Sequence, residues 1–368
     1  MKHVMFFFLL MAVVLGVLSG CRDNRRSGNV VLTTPRAETM IENRAEVTAE
    51  APADVVAVIG TAGQIRTGLG VVSSVSASRS ATGNNDGLAQ VDSTLVAITL
   101  DENGVITRAS FDAAQTRVGF NAQGQITTDL AAPVRTKVEL GNAYGMHRVS
   151  GIGREYHEQA AALETWAIGR TPARFLSMAL NGGRPAEADL TASVTVNVSG
   201  FLTAMELAAD NTRGGYAYGN HRTGLGVVTE VDASRNAAAN QAGRARVTSY
   251  YAVLTLNERG VIIAAWIDST QFDVEFDATG TLLPLPTALP TRYEMGDAYG
   301  LRRASHIGRE WNEQMREFTR WMVGKTPTEV VGMSLNEGHP AGADLTASVT
   351  INVLPVLAAV SRAAENAR

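Results

Sequence analysis

Apolar and polar residues alternate with a period of two in the first half of two long stretches of this chain, and with a period near 3.6 in the second half of each. In the first stretch Val96, Ile98 and Leu100 alternate with Ala97 and Thr99, Asn103-Gly104 supplies a turn, and residues 105–112 return. That pattern predicts an antiparallel hairpin. Residues 253–256, a turn at Arg259-Gly260 and residues 261–268 repeat it. A second turn, Asn121-Ala122-Gln123-Gly124 or Asp277-Ala278-Thr279-Gly280, follows a further short strand carrying Val118 and Phe120, or Val274 and Phe276. Ahead of each hairpin, Gly68-Leu69-Gly70 or Gly224-Leu225-Gly226 reads as a tight turn into a β-branched strand, followed by a polar loop at residues 78–87 or 234–243.

The helical halves are equally parallel. Ile307, Trp311, Met315, Phe318 and Met322 fall at i, i+4, i+8, i+11 and i+15, one stripe of an amphipathic helix that can pack on a sheet. Ile152, Tyr156, Ala160, Leu163 and Ala167 are its counterparts. Gly169 or Gly324 ends this helix, and Thr171-Pro172 or Thr326-Pro327 opens another, with threonine as N-cap and proline at the first helical position. Glu329 completes a capping box in the second stretch. Each stretch closes on a helical segment, residues 201–209 or 356–367. The fold class that follows is α+β, with two tandem homologous domains, each an antiparallel sheet packed with helices.

Identity between the stretches supports a duplication. Asp-Leu-Thr-Ala-Ser-Val-Thr occurs at residues 189–195 and again at 344–350, and Arg66-Thr67-Gly68-Leu69-Gly70-Val71-Val72 matches residues 222–228. The two matches differ in register by one residue, which places a one-residue slip in the loop containing Pro284-Leu285-Pro286. So long a period means tandem globular domains rather than a solenoid or propeller, whose repeats run to about 20–50 residues. The first domain is expected at 59–211 and the second at 222–368, joined by a glycine-rich linker at 212–221 that would let them move independently. Within the heptapeptide and beyond it, Val194, Val196 and Val198 alternate with Ser193, Thr195 and Asn197, a strand pattern.

The N-terminus sets the compartment. Residues 4–18 are an apolar run shorter than the about 20 residues of a spanning helix and preceded by Lys2 and His3, as in a signal peptide of residues 1–20. The run ends on Leu18-Ser19-Gly20-Cys21, which resembles the lipobox of bacterial lipoproteins. Lipidation of Cys21 is therefore expected, with a polar, charged tether at 21–58 and the folded part on the extracytoplasmic side of a membrane in the bacterial cell envelope. Cys21 is the only cysteine, so no intramolecular disulfide can form. Each domain, at roughly 150 residues, is long enough to be held by its own core. A net charge of −4 offers no basic stripe, which argues against nucleic acid as a partner.

Chemistry common to both domains must use residues present in both. Histidines fail that requirement: His147, His157 and His339 align with Arg302, Asn312 and Arg184, and His306 with Gly151. Gly324-Lys325-Thr326 lacks the first glycine of a phosphate loop and reads as a helix stop and start. No Gly-x-Ser-x-Gly elbow is present. Arg154-Glu155 with Glu158-Gln159, and Arg309-Glu310 with Glu313-Gln314, recur at the start of the long helix, where acidic residues favour the helix dipole and could alternatively hold a cation. Tyr144-Gly145 and Tyr299-Gly300 precede them, as stacking partners for a ligand or as covers for the helix end.

The heptapeptide, the preceding Asp101-Glu102-Asn103-Gly104-Val105-Ile106 hairpin, the lipoprotein leader and the terminal helix together resemble the FMN-binding domain family of bacterial exported proteins. In that family an aspartate stands six residues before a threonine in Asp-x-x-Ser-Gly-Ala-Thr, and a dedicated flavin transferase joins the threonine hydroxyl to the FMN phosphate. The resemblance implies FMN as cofactor, Thr195 and Thr350 as attachment points, Asp189 and Asp344 as the motif aspartates, a flavin transferase as partner, and electron transfer as the activity. Two departures are visible: Ala192-Ser193-Val194 and Ala347-Ser348-Val349 replace Ser-Gly-Ala, and a strand pattern stands where the family's motif leads into a helix. A non-redox ligand-binding or envelope-surface module of the same fold is the alternative.

Overall fold

A computed structural model describes residues 63–217 and 219–368; the expected signal segment, Cys21 and the tether through residue 58 lie outside them. In the first domain β1 (Gly63–Ser74), β2 (Gly87–Leu100) and β3 (Ile106–Phe120) form an antiparallel meander with Gly70 opposite Val96 and Val96 opposite Phe111. The strand expected separately around Val118 and Phe120 is the far end of β3, because pairing with β2 continues without a register shift from Arg108 to Phe120. Then follow α1 (Lys137–Leu140), two 3-10 turns, α2 (Tyr156–Ala167), α3 (Pro172–Leu176), a two-residue hairpin of β4 (Leu180–Asn181) and β5 (Arg184–Pro185), and α4 (Ser199–Asp210). After β6 (Arg213–Ala217), the second domain repeats the order. It comprises β7 (His221–Glu230), β8 (Gly243–Asn257), β9 (Ile262–Phe276), α5 (Arg292–Met295), α6 (Trp311–Met322), α7 (Pro327–Val331), β10 (Leu335–Asn336), β11 (His339–Pro340) and α8 (Leu354–Glu365). The fold is α+β, as the periodicities predict.

Each sheet is buried on both faces. Val96, Ile98 and Phe111 on one face pack against α2 and α4, while Leu69, Val71, Leu95 and Ala97 on the other meet Leu225, Val227, Tyr251 and Val253 of the second sheet. The layers therefore run helix, sheet, sheet, helix. The contact between sheets is reciprocal, as in an isologous dimer interface enclosed in one chain. Thr67 bonds Thr255 and Thr99 bonds Thr223, both at 2.7 Å, in a buried hydroxyl cluster. The Ala81 amide donates to the Gly280 carbonyl and the Ala237 amide to the Gly124 carbonyl, both at 2.8 Å. Phe120 and Phe276 stack with centroids 4.0 Å apart.

Four local expectations are corrected. Residues 213–217 of the expected flexible linker form β6, paired antiparallel with β1, so this stretch adds a fourth strand to the first sheet, and the shared core joins the two domains. The glycines at 68, 70, 224 and 226 sit inside strands and not in turns: a Cβ at Gly70 would lie 1.8 Å from the Ala204 carbonyl oxygen and one at Gly226 2.0 Å from that of Ala359. The long helices begin at Tyr156 and Trp311 and exclude Ile152 and Ile307, because Glu155 and Glu310 are extended N-caps in capping boxes with Glu158 and Glu313. The heptapeptide forms successive turns and then leads into α4 or α8, not a strand. Leu190, Val194 and Val198, spaced by four, carry its burial, and the amides of Ser193 and Val194 bond back to the Leu190 carbonyl.

Candidate functional site

The turns of the heptapeptide bring Thr195 to a cleft in the first domain of about 920 Å³, walled by the outer sheet face, α1, the 3-10 segment before α2, the β4–β5 hairpin and the start of α4. Its volume falls within the range of small-molecule sites, about 300–1,000 Å³. Lys137 and Arg184 line it together with hydroxyl and amide groups of Thr94, Ser150, Asn181, Thr195 and Asn197, and no Asp or Glu is among the lining residues. Met146, Val149, Val194, Val196 and Phe201 are among its apolar lining residues. Cations and neutral donors without a carboxylate in the lining make this wall suited to negative charge.

Local sequence explains where each group sits. Lys137 opens α1, whose N-cap Thr136 is held by a capping box with Glu139, and its Nζ lies 5.3 Å from the ring centroids of both Tyr144 and Tyr156. Arg184 projects from a hairpin turned by Gly182 and Gly183, both at positive φ. Thr195 is fixed by Gln159, a fully buried side chain of α2 whose Oε1 accepts from the Thr195 amide at 2.8 Å, the Thr195 hydroxyl at 3.3 Å and the Val196 amide at 3.2 Å. The same bracket recurs in the second domain, where Gln314 Oε1 accepts from the Thr350 amide at 2.8 Å and hydroxyl at 3.3 Å. These side-chain acceptors take amides that a strand ladder would otherwise need.

The two ends of the heptapeptide do different things. Asp189 accepts from the Trp166 indole at 2.8 Å and Asp344 from that of Trp321, so each clips the turn to the last part of the long helix. Asp189 is not part of the cleft wall, whereas Thr195 is. The recurring glutamates are also structural. Glu155 accepts from the Met146 amide and the His147 ring, and Glu310 from the Leu301 and Arg302 amides, closing the 3-10 segments in both domains. Burial pushes the Glu155 carboxyl up, and the bonds from the His147 ring and the His147 and Met146 amides outweigh it, leaving its pKa below the ordinary value. Among the described residues no group of three or more His, Cys, Asp or Glu is placed to hold a metal ion.

A further shared pair escaped the sequence reading. Asp112 and Asp268 occupy equivalent buried positions on β3 and β9, and burial raises each carboxyl to about 7 against the pull of hydrogen bonds from neighbouring threonines and amides. Asp112 Oδ1 accepts from the Ala113 and Val138 amides, and Asp268 Oδ1 from those of Ser269 and Tyr293, tying the strand to the first turn of α1 or α5. An aspartate at the same place in both copies, directly after Phe111 or Ile267, was the available signal.

Gln159→Leu is expected to cost about 2 kcal/mol, the penalty for leaving buried donors unpaired. Urea unfolding measures it, and amide exchange at Thr195 and Val196 should accelerate in that variant. Unaltered exchange at those two amides would show that the glutamine does not hold the turn.

Comparison of the chain with protein-family models, with curated proteins and with solved structures finds no match.

Proposed function

We propose that this chain is a lipoprotein anchored through Cys21 on the extracytoplasmic side of a bacterial envelope membrane, and that its first domain binds an organic anion, with FMN the candidate that the heptapeptide suggests. The observation that carries the proposal is the convergence of Lys137, Arg184 and Thr195 on one cleft without a lining carboxylate. A phosphate beside the Thr195 hydroxyl would meet both cations by charge-assisted hydrogen bonds. The turn leading into α4 supports the comparison with the flavin-linking motif, which also runs into a helix. Covalent attachment would make a flavin transferase a partner, and a flavin held there would serve electron transfer.

One observation favours a non-redox binding module: Tyr156 and Phe201, the rings lining the cleft, are each only 4% exposed, which leaves little aromatic face for a flavin ring. The experiment is co-expression of the full chain with a flavin transferase, followed by in-gel fluorescence of denatured protein. Fluorescence that disappears in Thr195→Ala plus Thr350→Ala supports covalent flavin, and its absence from the wild type sinks attachment. FMN titration of gently purified protein tests non-covalent binding. A wild type that binds inorganic phosphate and not FMN favours the non-redox module.

A further inference from the structure

The two domains keep the same threonine and glutamine bracket but not the same opening beside it. In the first, Thr94 and Gly200 make a low wall, with Thr94 Oγ1 only 3.1 Å from where a Cβ on Gly200 would stand. The equivalent residues in the second are Tyr250 and Pro355. Lys137, half-buried, has Arg292 as its counterpart, and Arg292 is 8% exposed. The Arg292 guanidinium carbon lies 5.2 Å from the Tyr299 ring centroid, 5.7 Å from Tyr250 and 6.0 Å from Trp311, and its Nη2 donates to Gln271 at 2.9 Å. Arg184 aligns with His339, whose Nδ1 is engaged with the Thr350 carbonyl at 2.8 Å. A cation seated over ring faces and a phenol in place of a threonine hydroxyl fill space themselves, with Arg292 Nη2 bonded to Gln271 and its Nε left without a partner.

We propose that the second domain is closed by its own arginine: Arg292 and Tyr250 take the volume that a ligand occupies in the first domain. The chain then binds one organic anion, and the pair 94/137 against 250/292 decides which domain binds it. The proposal rests on organic-anion binding by the first domain. It separates the two threonines of the repeated heptapeptide, since Thr195 faces a ligand and Thr350 faces the chain's own side chains.

Calorimetric titration of the full chain with FMN tests it. The expected stoichiometry is one FMN per wild-type chain and two in Tyr250→Thr plus Arg292→Lys. The reciprocal change, Thr94→Tyr plus Lys137→Arg, should weaken binding on the order of tenfold or more, a change of about 1.4 kcal/mol. Circular dichroism establishes that each variant is folded, and the reciprocal variant carries the test if the first does not fold. Two FMN per wild-type chain, or a folded reciprocal variant that binds like wild type, overturns this proposal alone. No FMN bound by the wild type overturns it together with FMN binding by the first domain.

Discussion

Gly70→Ala and Gly226→Ala are each expected to cost the fold about 3 kcal/mol, the upper part of the range for overpacking a core. A methyl group at Gly70 would stand 1.8 Å from the Ala204 carbonyl oxygen and 2.8 Å from the Ala208 amide nitrogen, and one at Gly226 2.0 Å from the Ala359 carbonyl oxygen. These obstacles are backbone atoms of α4 and α8, so no side-chain rotation relieves the clash and the whole helix must lift from the sheet. Lifting α4 would strip Ala204, Met205 and Ala208 of their burial against β1 and β2. It would also displace Gly200 and Phe201, which line the cleft at the start of the same helix. Gly63→Ala is the control, since nothing lies within 4 Å of its Cβ position and the change should stay within about 0.5 kcal/mol. Urea unfolding midpoints distinguish the cases. A Gly70→Ala midpoint equal to that of Gly63→Ala would mean that the close approach of helix and strand is not needed.

That close approach was hidden in the sequence by a stronger local signal. Gly68-Leu69-Gly70 has the composition of a turn, and only tertiary structure shows that its glycines make room for a helix some 130 residues later, a separation no local pattern encodes. The hairpins were legible because alternation and turn chemistry agree over residues 96–112. Helix starts were legible where capping was explicit, as at Thr171-Pro172 and at Thr326 with Glu329. The heptapeptide misled because Val194, Val196 and Val198 satisfy a period of two, while the burial that decides its conformation follows Leu190, Val194 and Val198 at a period of four. Thr99 alternates with the apolar positions of its strand, yet Thr67, Thr99, Thr223 and Thr255 bond one another between the two sheets. Their hydroxyls satisfy each other, so burial costs them little.

The cleft was half legible for the same reason. Thr195 stands in a repeated motif and can be found from sequence, whereas Lys137 and Arg184 lie in separate short elements with no spacing that links them to it. Only folding brings three such segments to one opening. The repeat itself was firm evidence for common ancestry and, with Tyr250 and Arg292 in the second copy where the first has Thr94 and Lys137, is weak evidence that both copies bind a ligand.

Stability of this protein should fall as pH rises from about 4 to about 7 by an amount traceable to two residues, Asp112 and Asp268. Burial raises each carboxyl from its ordinary value to about 7, against the hydrogen bonds from Thr136 or Thr291 and the neighbouring amides. A carboxyl with a folded-state pKa above its unfolded one keeps its proton in the native state after the unfolded chain has released its own. The native state then binds more protons throughout that window, so unfolding becomes easier with each step upward in pH and the loss levels off above about 7. A carboxyl raised to about 7 corresponds to on the order of 4 kcal/mol per group. Asparagine is the informative substitution. Its amide oxygen can accept from Ala113 and Val138, or from Ser269 and Tyr293, as the carboxyl does, and it carries no titrating proton. Asp112→Asn plus Asp268→Asn should therefore flatten the pH dependence, leaving the variant more stable than wild type at pH 8 and close to it at pH 4. The difference between the two stability curves isolates these groups from the other carboxylates, which titrate in both proteins. Parallel curves from pH 4 to pH 8 would show that the two aspartates ionise in the fold as readily as outside it, and that the bonds to α1 and α5 offset the cost of burying their charge.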